Sequence, residues 1–92
     1  MLMIYFINNT GYFRRKGEQN IMLLTDVKVG QTVTVTEIEA KEKIKNFLVS
    51  LGCFAGEQIT LISILSGNYI VNIKDSRYAI EKKIAKSILV EE

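Results

Sequence analysis

The sequence predicts a mostly β fold: a small barrel of about five short strands, with a single α-helix inserted after the first strand. Three observations carry this. Apolar and β-branched residues alternate in short runs between tight turns, as in Thr32-Val-Thr-Val-Thr36 and Tyr69-Ile-Val-Asn-Ile73. Only Lys41–Leu51 spaces its apolar residues at the helical period. The chain has 92 residues, 48% of them hydrophobic and none of them proline, which suits one core and one domain.

Thr25–Gly30 is an opening segment that closes in a turn at Gly30. Gln31–Ile38 is the first strand. Its β-branched residues suit a pleated surface, with Val33 and Val35 on one face. Ile38 breaks the alternation, so a bulge or bend is expected near Glu37. In the helix, Ile44, Phe47, Leu48 and Leu51 fall at i, i+3, i+4 and i+7 and define the face expected to be core. Gly52 follows at once and suits the left-handed residue that ends a helix. The link Cys53–Gly56 leads into the second strand, Gln58–Leu65, which has apolar residues on both faces. Ser66-Gly67-Asn68 is a hairpin turn into the third strand, Tyr69–Ile73. Arg77–Ile80 is the fourth strand, Glu81–Lys86 a helical turn and Ser87–Val90 the closing strand. Sheets this small hide their edges by curling closed, which makes an SH3-like barrel the economical architecture.

Composition excludes much chemistry. There is no His and one Cys, Cys53, so no thiolate–imidazole pair and no multi-thiol metal site can be built. No catalytic residue, metal ligand or cofactor is assigned, and the chain is expected not to be an enzyme. The net charge of +2 comes from Arg14, Arg15 and Lys16 against Glu18, which leaves residues 22–92 with nine basic and nine acidic residues. A neutral domain gives no reason to expect nucleic-acid binding. The longest apolar run, Met1–Ile7, is far short of a membrane span and lacks the flanks of a signal peptide. A cytoplasmic location, without membrane insertion, is the expectation.

Residues 1–21 show no sustained period. Arg15-Lys-Gly-Glu18 is what a purine-rich ribosome-binding site would read as in translation, a few codons before Met22. These residues are therefore expected to lie upstream of the true start or to form a flexible arm, with the domain at residues 22–92. In a genuine arm, Ile4–Ile7 could add a strand to an open sheet edge.

In order and spacing, the motifs from Met22 onward resemble those of the FeoA family. Leu51-Gly-Cys-Phe-Ala-Gly-Glu57 is similar to its Leu-Gly-hydrophobic-x-Pro-Gly element, and Tyr78-Ala-Ile80 to its Tyr/Arg-x-Ala-Leu element. Ala85–Val90 is similar to its Ala-x-x-Ile-x-Val ending, and Thr25–Gly30 to its opening. Ala55 stands where the family usually has proline, and Ser66–Asn68 lacks the usual Gly-Asp-Pro. The resemblance implies a cytoplasmic accessory of ferrous iron uptake. Its partner would be the cytoplasmic region of the membrane transporter FeoB, with weak homo-oligomerisation left open. The alternatives are a stand-alone SH3-like adaptor, or an iron-responsive regulatory domain related to the C-terminal domains of metal-dependent repressors.

The candidate protein-binding residues are Leu51, Cys53, Phe54, Tyr69 and Tyr78. Phe54 can serve as a docking anchor or cap the core. For Cys53 the preferred reading is a small buried hydrophobe. Tyr69 and Tyr78 could line a peptide groove, although partial burial with the hydroxyl in water is preferred. Gly30, Gly52, Gly56 and Gly67 are assigned as turn or cap residues.

Overall fold

The computed structural model describes residues 5–7, 13–15 and 21–92. Two short strands, β1 (Tyr5–Ile7) and β2 (Phe13–Arg15), pair antiparallel as a separate two-stranded sheet. Tyr5–Ile7, part of the segment that could add a strand to an open edge, is a strand and pairs with β2. The remainder of the arm expectation, including the translated ribosome-binding site and Ile4, lies outside the described residues.

The main sheet has six antiparallel strands in the order β3-β8-β4-β5-β6-β7. They are β3 (Ile21–Leu23), β4 (Thr32–Ile38), β5 (Gln58–Leu65), β6 (Asn68–Ile73), β7 (Ser76–Glu81) and β8 (Ile88–Glu91). Helix α1 (Glu42–Ser50) lies between β4 and β5, and the four-residue α2 (Lys82–Ala85) between β7 and β8. The fold is the expected mostly β architecture with one main helix, and it has one strand more than the sequence suggested. Among the described residues the extra strand, β3, pairs only with β8. Three residues are too few to show a period. A short 3-10 helix, Leu24–Asp26, ends it, and Asp26 Oδ2 accepts the Leu23 backbone N–H at 3.3 Å.

Every strand of this sheet sends side chains into a single core, so the sheet curls around it. That core includes Met22, Val33, Val35, Ile38, Ile59, Leu61, Tyr69, Val71, Ile73, Ile80, Ile88 and Val90. The expected bulge is present: the β4–β8 register shifts between Val35 and Glu37. The extra residue lets Val35 and Ile38, three apart, both face inward. A second shift, between Leu61 and Ser63 in β5, has no signal in a run where nearly every residue is apolar.

The helix departs from expectation at one residue. Leu48 is fully buried, and Ile44 and Leu51 pack against the core. Phe47, expected in the core, is 47% exposed. Successive helical residues project about 100° apart, so Phe47 and Val49 flank Leu48 on either side. A narrow barrel covers only the row through Ile44, Leu48 and Leu51, and Val49 is left 49% exposed as well.

Candidate protein-docking surface

The segment that joins α1 to β5 is held in place by backbone geometry. At the end of α1 the Gly52 N–H donates to Val49 O at 2.9 Å and the Cys53 N–H donates to Leu48 O at 2.9 Å. This pair of bonds is the Schellman motif, which requires a left-handed residue between the helix and the chain that leaves it. Gly52 supplies it, with φ +93°. A side chain there would be strained by the φ and crowded as well, because an added Cβ would lie 3.3 Å from Ile73 Cγ2 and 3.3 Å from Lys74 Cε. The motif drops Cys53 into the core beside Leu48, each with no exposed surface.

The chain then turns through Phe54-Ala-Gly-Glu57. The Glu57 N–H donates to Phe54 O at 3.0 Å, and Gly56 has φ +94° at the third position. That pattern belongs to a type II turn, in which proline is favoured at the second position; here that position is Ala55. The turn is fastened to β4 at both ends: the Gly56 N–H donates to Val35 O and the Val35 N–H donates to Glu57 O, each at 2.8 Å. Phe54 thus sits on a short link anchored in the barrel, with 38% of its surface exposed. Lys74 Nζ lies 5.8 Å from its ring centroid and 3.7 Å from Glu57 Oε1. This places a cation over the aromatic face, a favourable contact at an exposed site. Beside it, Ile38, Val49, Phe54, Ala55 and Lys45 line a shallow open groove between α1 and β4.

The five candidate residues do not form one surface. Phe54 is exposed and Leu51 is half-buried at the helix end. Cys53 is wholly buried and can reach no partner. Burial in apolar surroundings pushes its thiol up from 9.0 to about 11, so it remains protonated and unreactive at neutral pH. Tyr69 is 7% exposed and pairs with Ile80, while Tyr78 pairs with Val71. Cross-strand partners share a face, so both tyrosines point toward the core rather than into a peptide groove. Val49 is the surface residue that the sequence did not bring forward. Its signal was the unbroken apolar triplet Phe47-Leu-Val49, too wide for one narrow row of contact. Gly30 and Gly67 also have positive φ, at +93° and +80°.

Among the described residues no group of three or more His, Cys, Asp or Glu side chains converges to hold a metal ion. No described helix is long and apolar enough to cross a membrane. The link and the groove offer apolar area flanked by Lys45, Lys74 and Glu37, an arrangement suited to contact with another molecule.

Comparisons with known proteins bear on the family and the fold. A FeoA domain model matches residues 22–92. An iron uptake regulatory protein (FeoA) of known structure superposes with a TM-score of 0.73 at 25% identity, over 78% of this chain and 96% of that one. A zinc complex of FeoA from Stenotrophomonas maltophilia superposes with a TM-score of 0.68 at 21% identity, over 76% of this chain and 89% of that one. That protein is described as a prokaryotic SH3 domain protein and a candidate ferrous iron transport activating factor. The T. acidophilum protein IdeR matches with a TM-score of 0.71 at 22% identity, over 77% of this chain but only 33% of its own. Among curated proteins none matches significantly. With the family model covering more than three quarters of its length, the SH3-like chain belongs to the FeoA domain family.

Proposed function

We propose that this chain is a non-enzymatic accessory of ferrous iron uptake. It binds the cytoplasmic region of the membrane transporter FeoB and modulates it by protein–protein contact. The observation that carries the reading is Phe54: a large apolar side chain held in solvent on a link that two backbone hydrogen bonds fix to β4. Interfaces draw most of their energy from a few such anchors, aromatic ones above all, set in a surface that excludes water. Val49 and Ala55 extend the apolar area around the ring, and Lys45 and Lys74 rim it. The similarity to a candidate ferrous iron transport activating factor supports the same reading, and a cytoplasmic location accompanies it.

Replacing Phe54 with Asp places a charge at the centre of the contact. The expected outcome is loss of co-purification with the transporter's cytoplasmic region, while the circular dichroism spectrum and unfolding midpoint stay close to wild type. Unchanged co-purification would remove this surface from consideration. An anaerobic ferrous titration of the isolated chain separates accessory from iron carrier. No saturable binding is expected, and stoichiometric binding would instead support direct iron handling. The similarity to IdeR favours a second reading, a regulatory domain of the kind found in repressors. The described helices, of nine and four residues, offer no helix pair for DNA.

A further inference from the structure

Among the described residues the six-stranded sheet leaves several stretches of strand edge, and they are not alike. The outer edge of β3 is only three residues long. The outer edge of β7 carries Arg77 and Glu81. Short length and charge are the usual protections against edge-to-edge pairing. A third stretch is the far half of β5. Pairing with β4 runs from Gln58 to Thr60 and is extended by the Gly30 N–H to Leu61 O at 2.6 Å and the Leu61 N–H to Gln31 O at 3.1 Å. The chain before β4 then turns away, with the Gln31 N–H donating to Lys28 O. Beyond Leu61, β5 continues as one side of a tongue with β6 and β7. Among the described residues no strand pairs with Ile62–Leu65 on the side away from β6.

This edge is four residues long and begins at the bulge between Leu61 and Ser63, but it lacks the protection of charge or proline. Ile62-Ser-Ile-Leu65 contains no charge and no proline, and the turn that follows, Ser66-Gly67, is uncharged too. Ile64 is 45% exposed and Leu65 61%. The register fixes where the free backbone groups point. Ser66 and Gly67 have φ of +51° and +80° and form a two-residue loop closed by Leu65 and Asn68. Leu65 and Asn68 therefore exchange hydrogen bonds with each other, and Ile64, opposite Tyr69, is a non-hydrogen-bonded position. The N–H and C=O of Ile64 accordingly face outward, toward the open edge.

We infer that Ile62–Leu65 is a self-pairing edge, and that a second copy of this chain adds to it antiparallel with Ile64 opposite Ile64 of its partner. An uncharged strand meeting itself encounters no like-charge repulsion. A two-fold axis through Ile64 lets the same N–H and C=O serve on both sides, as an isologous contact requires. The flanking pairs set Ser63 against Leu65 of the other copy, small against large. This inference does not rest on the transporter reading, because none of its residues belongs to the Phe54 surface.

Sedimentation of the full chain at rising concentration tests it. A reversible monomer–dimer equilibrium is expected. Ile64→Lys and Leu65→Lys, both at exposed positions, should each weaken it more than tenfold, while Phe54→Asp leaves it unchanged. In a mixture of isotope-labelled and unlabelled chains, an intermolecular contact between the Hα atoms of Ser63 and Leu65 should appear, because these residues face each other at a non-hydrogen-bonded position. A wild type that stays monomeric to millimolar concentration overturns the inference. So does a dimer indifferent to both lysines, or an edge occupied only by the transporter's cytoplasmic region.

Discussion

Replacing Gly52 with Ala tests the geometry that presents Phe54, and Gly56→Ala serves as its control. The two glycines have nearly the same backbone angle, φ +93° and +94°. Each should cost an L-residue about 1–2 kcal/mol for the left-handed conformation, reduced by about 0.4–1 kcal/mol because alanine also restricts the unfolded chain. They differ in their surroundings. A Cβ at Gly56 would meet nothing within 4 Å, whereas at Gly52 it would sit 3.3 Å from both Ile73 Cγ2 and Lys74 Cε. The lysine can swing aside, but Ile73 is 1% exposed and fixed in the core. Forcing it to move adds about 1 kcal/mol or more of overpacking. Gly56→Ala should thus cost about 1 kcal/mol and Gly52→Ala about 2 kcal/mol, the latter equivalent to roughly 8–16 °C in melting temperature for a domain of this size. Urea unfolding of both variants measures the difference. Equal midpoints, or Gly56→Ala as the more damaging change, would refute the assignment of Gly52 as the sterically closed site.

Leu48→Ala should destabilise by about 2–5 kcal/mol, as for any fully buried leucine. Phe47→Ala, one residue away but half in solvent, should cost less than about 1 kcal/mol in the same denaturant series. Ala55→Pro should stabilise by about 0.4–1 kcal/mol, because proline suits the second position of a type II turn and restricts the unfolded chain; thermal melts check it. Cys53 should resist a maleimide reagent until the chain unfolds. Its pKa is raised on folding from 9.0 to about 11, so the native state holds the proton more tightly. That contribution is intact below pH about 9 and is lost as pH climbs toward 11, at a rate that linkage sets. The stability difference between wild type and Cys53→Ala, followed by urea midpoint across this window, should move against the wild type.

The barrel was legible in the sequence because its signals are local. Alternating residues in Thr32–Thr36 and Tyr69–Ile73 mark strands, Gly52 marks the helix end, and Ile38 out of step marks the bulge in β4. The illegible parts are set by tertiary contact. Strand β3 exists only because β8 is there to receive it. The exposure of Phe47 depends on how wide a face the barrel offers the helix, which helical spacing cannot reveal. The same limit applied to the candidate site. An aromatic in an alternating strand looks alike whether its face is inside or outside, and only pairing with Ile80 placed Tyr69 within the curl.

The two surfaces sit at opposite ends of one strand. Phe54 precedes β5 by four residues, and Ile64 lies six residues beyond Gln58, about 20 Å along the strand at the usual rise. Occupation of one surface therefore leaves the other free. A dimer joined through Ile64 would carry two Phe54 anchors, and an oligomeric transporter could engage both. The second contact would then be intramolecular, raising apparent affinity with no new interaction. Ile64→Lys discriminates here as well: it should weaken binding to an oligomeric transporter assembly but leave binding to a single isolated cytoplasmic domain unchanged. If binding to the isolated domain falls in parallel, the β5 edge is itself part of the transporter contact and the two surfaces are not independent.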